Sequence, residues 1–454
     1  MTVEDTRTGT GGLILAWQEE RATSSTMGFL APSTPHPPSS DPLKALRDDP
    51  EGHVLVLSRS GGGKNRSCVM PWLLSHEGSA LTIDLKGENG LVCARFRRDV
   101  LGHEVHAFNP FGVQQQAFAD RGFVAARFNP LDDLDPDSED FADDCMTLAE
   151  DIAGPQPSGL PDPFWHVSAL SVVASHIAWH VCAARFVDGF RPEDRTLGGV
   201  WRSLCAQDLA FRMATILDSH AHRAGFPEFV REEFSNFLQG EAEKVRTSIR
   251  STATSLMRVF SSPRIQQATS ASDFSLAALA DPDRGFDLFL VYPPERLASH
   301  AAILRILLGR SFMAIARRRV MPTRPTLVVL DELPQLGALP SVKTAVTLLR
   351  GFGTKVVMSI QSMSQLRGLW PLDHATIIEN ATLLNFGNAS ASAARDVCSQ
   401  LGDIDERSLL ALDSDQLVVH LPGRPTVIAR KLDYLKDAAF KGFDDNPYYA
   451  GRRP

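Results

Sequence analysis

Seven stretches of this chain constrain its fold more than anything else in it. They are "HVLVLS" (53–58), "SALTIDL" (79–85), "EVHAFNP" (104–110), "FDLFLVYP" (286–293), "TLVVLDEL" (326–333), "KVVMSIQ" (355–361) and "TLLNFG" (382–387). A strand with water on one face alternates apolar and polar residues, whereas a strand covered on both faces reads as a continuous apolar run. Most of the seven are runs. The chain is therefore expected to build an α/β fold, a largely parallel sheet flanked by helices. Later, "QLVVHL" and "TVIARKL" flank "PGRP" and predict a hairpin.

Between about 140 and 250 the strand signal vanishes. "FWHVSALSVVASHIAWHVCAARF" and "LAFRMATILDSHAHRAG" carry helical spacing, which predicts an all-α domain, 141–250, inserted into the α/β domain. Residues 1–50 are rich in Thr, Ser and Pro and read as a flexible leader with a short ordered piece at "GLILAWQEE"; 436–454 reads as a C-terminal tail. A length of 454 residues fits this division into more than one unit.

Composition narrows the class. The six cysteines (Cys68, Cys93, Cys145, Cys182, Cys205, Cys398) include no C-x-x-C pair, which argues against a zinc site or disulfide framework and fits a reducing cytosol. A formal charge of −8 exerts no overall pull on nucleic acid. Short basic runs at Arg95–Arg98 and Arg317–Arg319 read first as solvated surface. No apolar run approaches the ~18–20 residues of a membrane span, and the first residues do not read as a signal peptide. The sequence as read is that of a soluble, cytoplasmic chain without a transmembrane segment, held peripherally at the inner membrane, if at all, by partners.

Three strand ends carry chemistry. In "HVLVLSRSGGGKNRS" (53–67) a buried strand leads through Gly61, Gly62 and Gly63 to Lys64 at the start of a helix. Such a loop turns backbone N–H groups and a positive helix end toward phosphates, with the lysine on the β- and γ-phosphates. Relative to G-x-x-x-x-G-K-[ST], Ser58 replaces the first glycine and Asn65 the metal-binding hydroxyl. Ser58 lacks glycine's access to positive φ, a freedom the three glycines supply instead. The candidate nucleotide-binding set is Ser60, Gly61, Gly62, Gly63, Lys64, Asn65 and Arg66. Pro71 is expected to kink or end the following helix. In "TLVVLDEL" a buried strand delivers Asp331, a candidate Mg²⁺ ligand, and Glu332, a candidate to orient the attacking water. "KVVMSIQ" ends in Gln361, a candidate γ-phosphate sensor if its strand lies beside that of Asp331.

With these in place, the chain from about 50 to 448 resembles the type IV secretion coupling proteins, the TraG/TraD-like conjugative DNA-transfer ATPases. Carrying the resemblance are "LTIDLKGEN" (81–89), "HAFNPFG" and "RFNPLDDL", the stretch 243–276, "LDELPQLGALPSV", "LLRGFGTKVVMSIQSMSQL" and "PGRPTVIARKLDY". The resemblance implies a RecA-like P-loop ATPase with residues 51–140 and 251–435 as the two parts of its nucleotide-binding domain, ATP and Mg²⁺ as cofactors, and a homo-hexameric ring with ATP between subunits. It assigns Lys64 and Gly63 to the P-loop, Asp331 and Glu332 to the acidic pair and Gln361 to the sensor. Arg350 becomes a trans-acting arginine finger, with Arg246 and Arg250 as competitors for that role. It implies single- or double-stranded DNA, relaxase, relaxosome or effector cargo, channel ATPases and inner-membrane components as partners. The family commonly has glycine after the P-loop lysine, so Asn65 departs from it in bulk. Two alternatives stand: a catalytically silent scaffold of the same fold, and a translocase of the FtsK/HerA kind.

Overall fold

The computed structural model describes residues 12–18, 44–49, 52–59, 61–155, 163–240, 243–282, 284–337, 340–387, 390–440, 443 and 446–449. Their eleven strands are β1 Ile14–Gln18, β2 Lys44–Arg47, β3 His53–Leu57, β4 Ala80–Asp84, β5 Glu104–Phe108, β6 Phe286–Val291, β7 Thr326–Leu330, β8 Thr354–Ile360, β9 Ala381–Asn385, β10 Gln416–His420 and β11 Val427–Arg430. They form one sheet in the order β2-β1-β11-β10-β9-β3-β8-β7-β4-β6-β5. All seven apolar stretches became strands, and they pair in parallel from β9 to β5. The expected hairpin is β10–β11, whose antiparallel pairing continues through β1 and β2.

The apolar runs are explained by what covers them. Leu55, Leu81, Val328 and Met358 face one core; Val54, Val56, Val329 and Val357 face the other. Each such side chain contributes about 1.5–3 kcal/mol when fully buried, which is why apolar residues dominate these strands. Helices Met70–Ser75 and Glu88–Asp99 cover the second face. On the first lie Leu297–Ala316 and the helices Phe141–Ala153, Phe164–Cys182, Leu197–Cys205, Leu209–His220, Glu228–Gln239 and Glu243–Leu256, with no strand between Phe141 and Leu256 among the described residues. The core helix Phe164–Cys182 packs on four of these neighbours.

Three expectations are corrected. First, the short ordered piece expected at "GLILAWQEE" is strand β1, and residues 44–47 of the expected flexible leader also form a strand, β2, at the edge of the sheet. They are pinned by a buried ion pair from Lys355 Nζ to Asp48 Oδ2 at 2.5 Å, and by Trp17 Nε1 donating to Asp437 at 2.6 Å. Second, Phe164–Arg185 and Pro294–Ala316 are long and apolar enough to cross a membrane by length and composition. Most of each is buried in the helical layer, and a core helix meets the same criterion. Third, each basic run, expected as solvated surface, buries one arginine, while Arg95, Arg317 and Arg319 stay exposed. Arg97 is fully buried, bound to both oxygens of Asp287 at 2.7 and 2.8 Å and to the carbonyls of Leu73, His76 and Gly78. Arg318 is buried on the carbonyls of Leu279, Phe352 and Gly353. Burial would raise the Asp287 carboxyl, but the Arg97 guanidinium outweighs it and holds the group below the usual range. These cations hold loops together at the amino ends of the strands.

Where the helical layer meets Leu297–Ala316, Asp151 is pressed against Gly309, at which a Cβ would collide with its carboxylate. Burial pushes Asp151 up to about 7, against the pull of Arg310 and Arg305. The native state therefore holds a proton that the unfolded state releases near pH 4, so this group's contribution to stability declines as pH rises from about 4 to 7. Asp151→Asn is expected to flatten that decline, by up to about 1.4 kcal/mol per pH unit, when urea midpoints are compared across the interval.

Candidate nucleotide site

β3 ends at Leu57, and Ser58 follows it buried, its amide donating to Ile360 O at 3.0 Å. Among the described residues only Gln114 and Glu332 combine a side chain with positive φ, so Ser58 sits in ordinary backbone and needs no glycine. The freedom has moved along the loop. Gly61 and Gly63 have φ of 75° and 88°, and a Cβ at Gly62 would collide with Ser58 Oγ. Ser60 lies outside the described residues. The helix opens at Lys64 with a wide turn, Asn65–Val69, closed by Met70 N–H on Asn65 O. Pro71 cannot donate to the preceding turn. The wide turn absorbs that loss, and the helix continues to Ser75.

β8 lies between β3 and β7, pairing in parallel with both. Two interstrand steps put Lys64 and Asp331 about 10 Å apart along the sheet, a span that the lysine side chain crosses. Its Nζ stands 2.5 Å from Asp331 Oδ1 and 2.8 Å from Glu332 Oε1. Gln361, at the end of β8, donates from Nε2 to Glu332 Oε2 at 3.1 Å. The topology thus brings together Lys64, Asp331, Glu332 and Gln361, with Lys64 268 residues from Glu332 and Gln361 29 residues from it. Glu332 reaches both partners from left-handed backbone (φ 54°, ψ 47°), a conformation costing about 1–2 kcal/mol off glycine. Burial would lower the lysine, but Asp331 and Glu332 overcome it and raise its affinity for the proton. Burial raises the Asp331 carboxyl, with Lys64 opposing.

The other candidates fall elsewhere. Arg66 gives its guanidinium to Asp433 through two bonds of 2.6 Å, so its side chain serves the segment after β11, and its backbone alone remains at the loop. Arg350 lies in the turn before β8, beside Asp49 at 3.4 Å. That is the amino end of a strand whose carboxyl end bears Gln361, about 23 Å away, so Arg350 cannot reach Lys64 within its own subunit. Arg246 donates to the carbonyls of Leu238 and Gly240, and Arg250 to those of Ala206 and Gln207.

Residue-by-residue reading missed two carboxylates. β4 is the neighbour of β7 on its far side, so Asp84 ends beside Asp331, and burial raises it to about 7. Glu88 opens the next helix and accepts a hydrogen bond from Asn65; burial raises it too. The signal was the acidic "DLKGE" after an apolar run, noted for its likeness to a family segment without an assigned role. Asn65 Oδ1 is buried without a partner. This orphaned amide oxygen, one residue on from the lysine that touches Asp331, adds a second hard oxygen donor to that carboxylate, which suits a Mg²⁺ held mainly by phosphates and water.

Removing the lysine would strand Asp331 beside Glu332. Lys64→Met is expected to cost about 1–3 kcal/mol of unfolding free energy at neutral pH. Adding Asp331→Asn should recover most of it, and a double-mutant cycle in urea should give a coupling above about 1 kcal/mol.

Residues 33–404 match the family model described as type IV secretory system conjugative DNA transfer. The chain is 25% identical over 340 residues to the conjugal transfer protein TraG of Escherichia coli, covering 71% of this chain and 50% of that one. It is 22% identical over 445 residues to the protein VirD4 of Rhizobium radiobacter, covering 87% and 59%. The chain thus spans about half the length of the curated relatives it matches. Its fold superposes on the plasmid coupling protein TrwB in complex with a non-hydrolysable GTP analogue, with a TM-score of 0.62, 17% identity and 84% and 85% coverage. A second TrwB structure, in complex with ADP and Mg²⁺, gives 0.60, 18%, and 86% and 88%.

Proposed function

The chain belongs to the type IV secretory system conjugative DNA transfer family, and from that premise we propose that it is an ATP-dependent coupling motor that recruits and delivers DNA, or protein led with it, to a type IV secretion apparatus. The observation that carries this reading is the convergence of Lys64, Asp331, Glu332 and Gln361 at adjoining strand ends behind a glycine loop.

The residues divide the work. Gly61–Gly63 let the backbone close around phosphates, and the helix start at Lys64 directs N–H groups at them. Lys64, held protonated by its carboxylate partners, exchanges them for the β- and γ-phosphates as nucleotide enters. That exchange frees Glu332, which then orients a water for in-line attack on the γ-phosphorus, and the strained backbone at Glu332 fixes where its carboxylate points. Gln361 reports the change, since its amide is already on Glu332. Mg²⁺, when bound, would be held by Asp331 with Asn65 at hand and would neutralise phosphate charge. The TrwB complexes with a non-hydrolysable ATP analogue and with ADP and Mg²⁺ support these as the cofactors. A hexamer with nucleotide between subunits gives Arg350 a role, because an arginine at the opposite edge of the sheet serves a neighbour's γ-phosphate or none. We assign the helices of 141–250 to an inserted domain for cargo or relaxosome proteins, and the strand segments on either side to one motor domain.

Two tests follow. Glu332→Gln is expected to lower DNA-stimulated ATP turnover by about a hundredfold or more while Mg·ATP still binds, and Lys64→Ala to abolish the binding. Turnover surviving Glu332→Gln would assign the attacking water to another base, whereas a parent that binds Mg·ATP without turning it over would favour the silent scaffold. In the second test, inactive Glu332→Gln and Arg350→Ala proteins are mixed. Partial recovery of turnover is expected if the arginine acts across the interface, and none if it does not.

A further inference from the structure

A cleft on the same edge of the sheet carries charge for which the nucleotide site has no use. Its two lobes, of about 370 and 510 Å³, share Ser262 and His300. They open beyond the carboxyl ends of β5 and β6, the edge at which open α/β sheets hold ligands. From β3 to β6 is four strand spacings, about 19 Å, so this cleft and the P-loop are neighbours but separate.

Arg264 and Arg296 line the first lobe, Arg258 and Arg305 the second, and Glu295 is the one carboxylate among the lining residues. Arg305 is accounted for. It donates to the carbonyls of Asp151 and Ile152 and so closes the end of helix Phe141–Ala153. Arg258, Arg264 and Arg296 are different: all three are exposed, and among the described residues none has a carboxylate partner. Arg264 touches only the Phe111 carbonyl, at 3.2 Å. Three like charges around one concavity repel each other, in a chain whose net charge is −8. Folding gains nothing from the arrangement, whereas a polyanion would relieve it.

The cleft also has an aromatic wall. Phe111, partly exposed, is braced edge-on by Tyr292 at 5.0 Å and by His300 at 5.1 Å. His300 marks a kink in helix Leu297–Ala316, with φ −127° and ψ 18°. A basic groove with a fixed aromatic surface suits single-stranded nucleic acid, whose phosphates run along cations while a base stacks. A lipid surface would need a convex patch instead. We propose that this cleft binds the phosphodiester backbone of single-stranded nucleic acid, with Arg258, Arg264 and Arg296 on phosphates and Phe111 under a base. The inference rests on the motor reading above and adds the place where cargo is held.

The test uses the full chain and a fluorescein-labelled oligothymidylate, with anisotropy followed across a salt series. The triple variant Arg258→Ala/Arg264→Ala/Arg296→Ala should bind at least about tenfold more weakly, and its salt slope should be shallower by about 2, three contacts at about 0.7 each. Phe111→Leu should weaken binding several-fold and leave the slope unchanged. Fluorescent ATP should bind both variants as it binds the parent, which shows that they fold. If the parent binds the oligonucleotide and the triple variant matches it in affinity and slope, the cleft is not the site, and the motor reading survives. A parent that binds no oligonucleotide overturns both. Loss of binding to phosphatidylglycerol vesicles in the triple variant, with oligonucleotide binding intact, would assign the arginines to a membrane instead and overturn the proposal.

Discussion

Everything in this molecule follows from the need to keep water off both faces of a parallel sheet. Strands β3 to β9 are apolar on each side, so every connection between them must leave the sheet, cover a face and return in the same direction. The carboxyl ends of all seven parallel strands then fall on one edge. A glycine loop, an acidic pair and a terminal glutamine that lie far apart in the sequence meet there because their strands are adjacent, and for no other reason. The inserted helices obey the same rule. They share one continuous apolar core with the sheet face beneath them, so the helical layer is the cover of that face as well as an addition to it.

Polar groups inside this cover are tolerated where they are paired, and the pairs divide by edge. At the amino ends of the strands each buried cation has its partners: Arg97 on Asp287, Arg318 on three carbonyls, and Lys355 on Asp48, whose other oxygen makes no bond. At the carboxyl ends the pairs are open. One lysine serves two carboxylates, Asp84 and Glu88 are destabilised by burial, and an amide oxygen has no partner. A closed network stabilises a fold. The excess of carboxylate oxygen around Lys64 and Asp331 instead leaves affinity for cations in reserve, which is the condition a Mg²⁺-bound phosphate chain satisfies.

The sequence made the parallel sheet legible because burial on both faces writes itself into every residue of a strand. It made Lys64, Asp331, Glu332 and Gln361 legible because each stands just past such a run. Other features were hidden for physical reasons. "GLILAWQEE" sits among serines, threonines and prolines, and its place in the sheet depends on pairing with Arg430, more than four hundred residues on. Arg97 looked like surface charge, as its neighbour Arg95 is, because sequence cannot show Asp287 waiting beneath it. The helical spacing of Phe164–Cys182 was legible, but its apolar length and that of helix Leu297–Ala316 were not, since histidines, serines and arginines break the run while still packing inside. Asp84 and Glu88 gained their meaning only from β4 lying beside β7. The arginines of the basic cleft are scattered over three segments and assemble only in space.

The bond between Arg66 and Asp433 spans 367 residues, and Tyr434 N–H returns to the Arg66 carbonyl. The helix that begins at the phosphate loop is therefore fastened by residues made long after it. At ordinary rates of translation, about 5–20 residues per second, the loop emerges about 20 to 70 seconds before its fastening. The contacts that fasten this helix thus become available only when the antiparallel side of the sheet has been made.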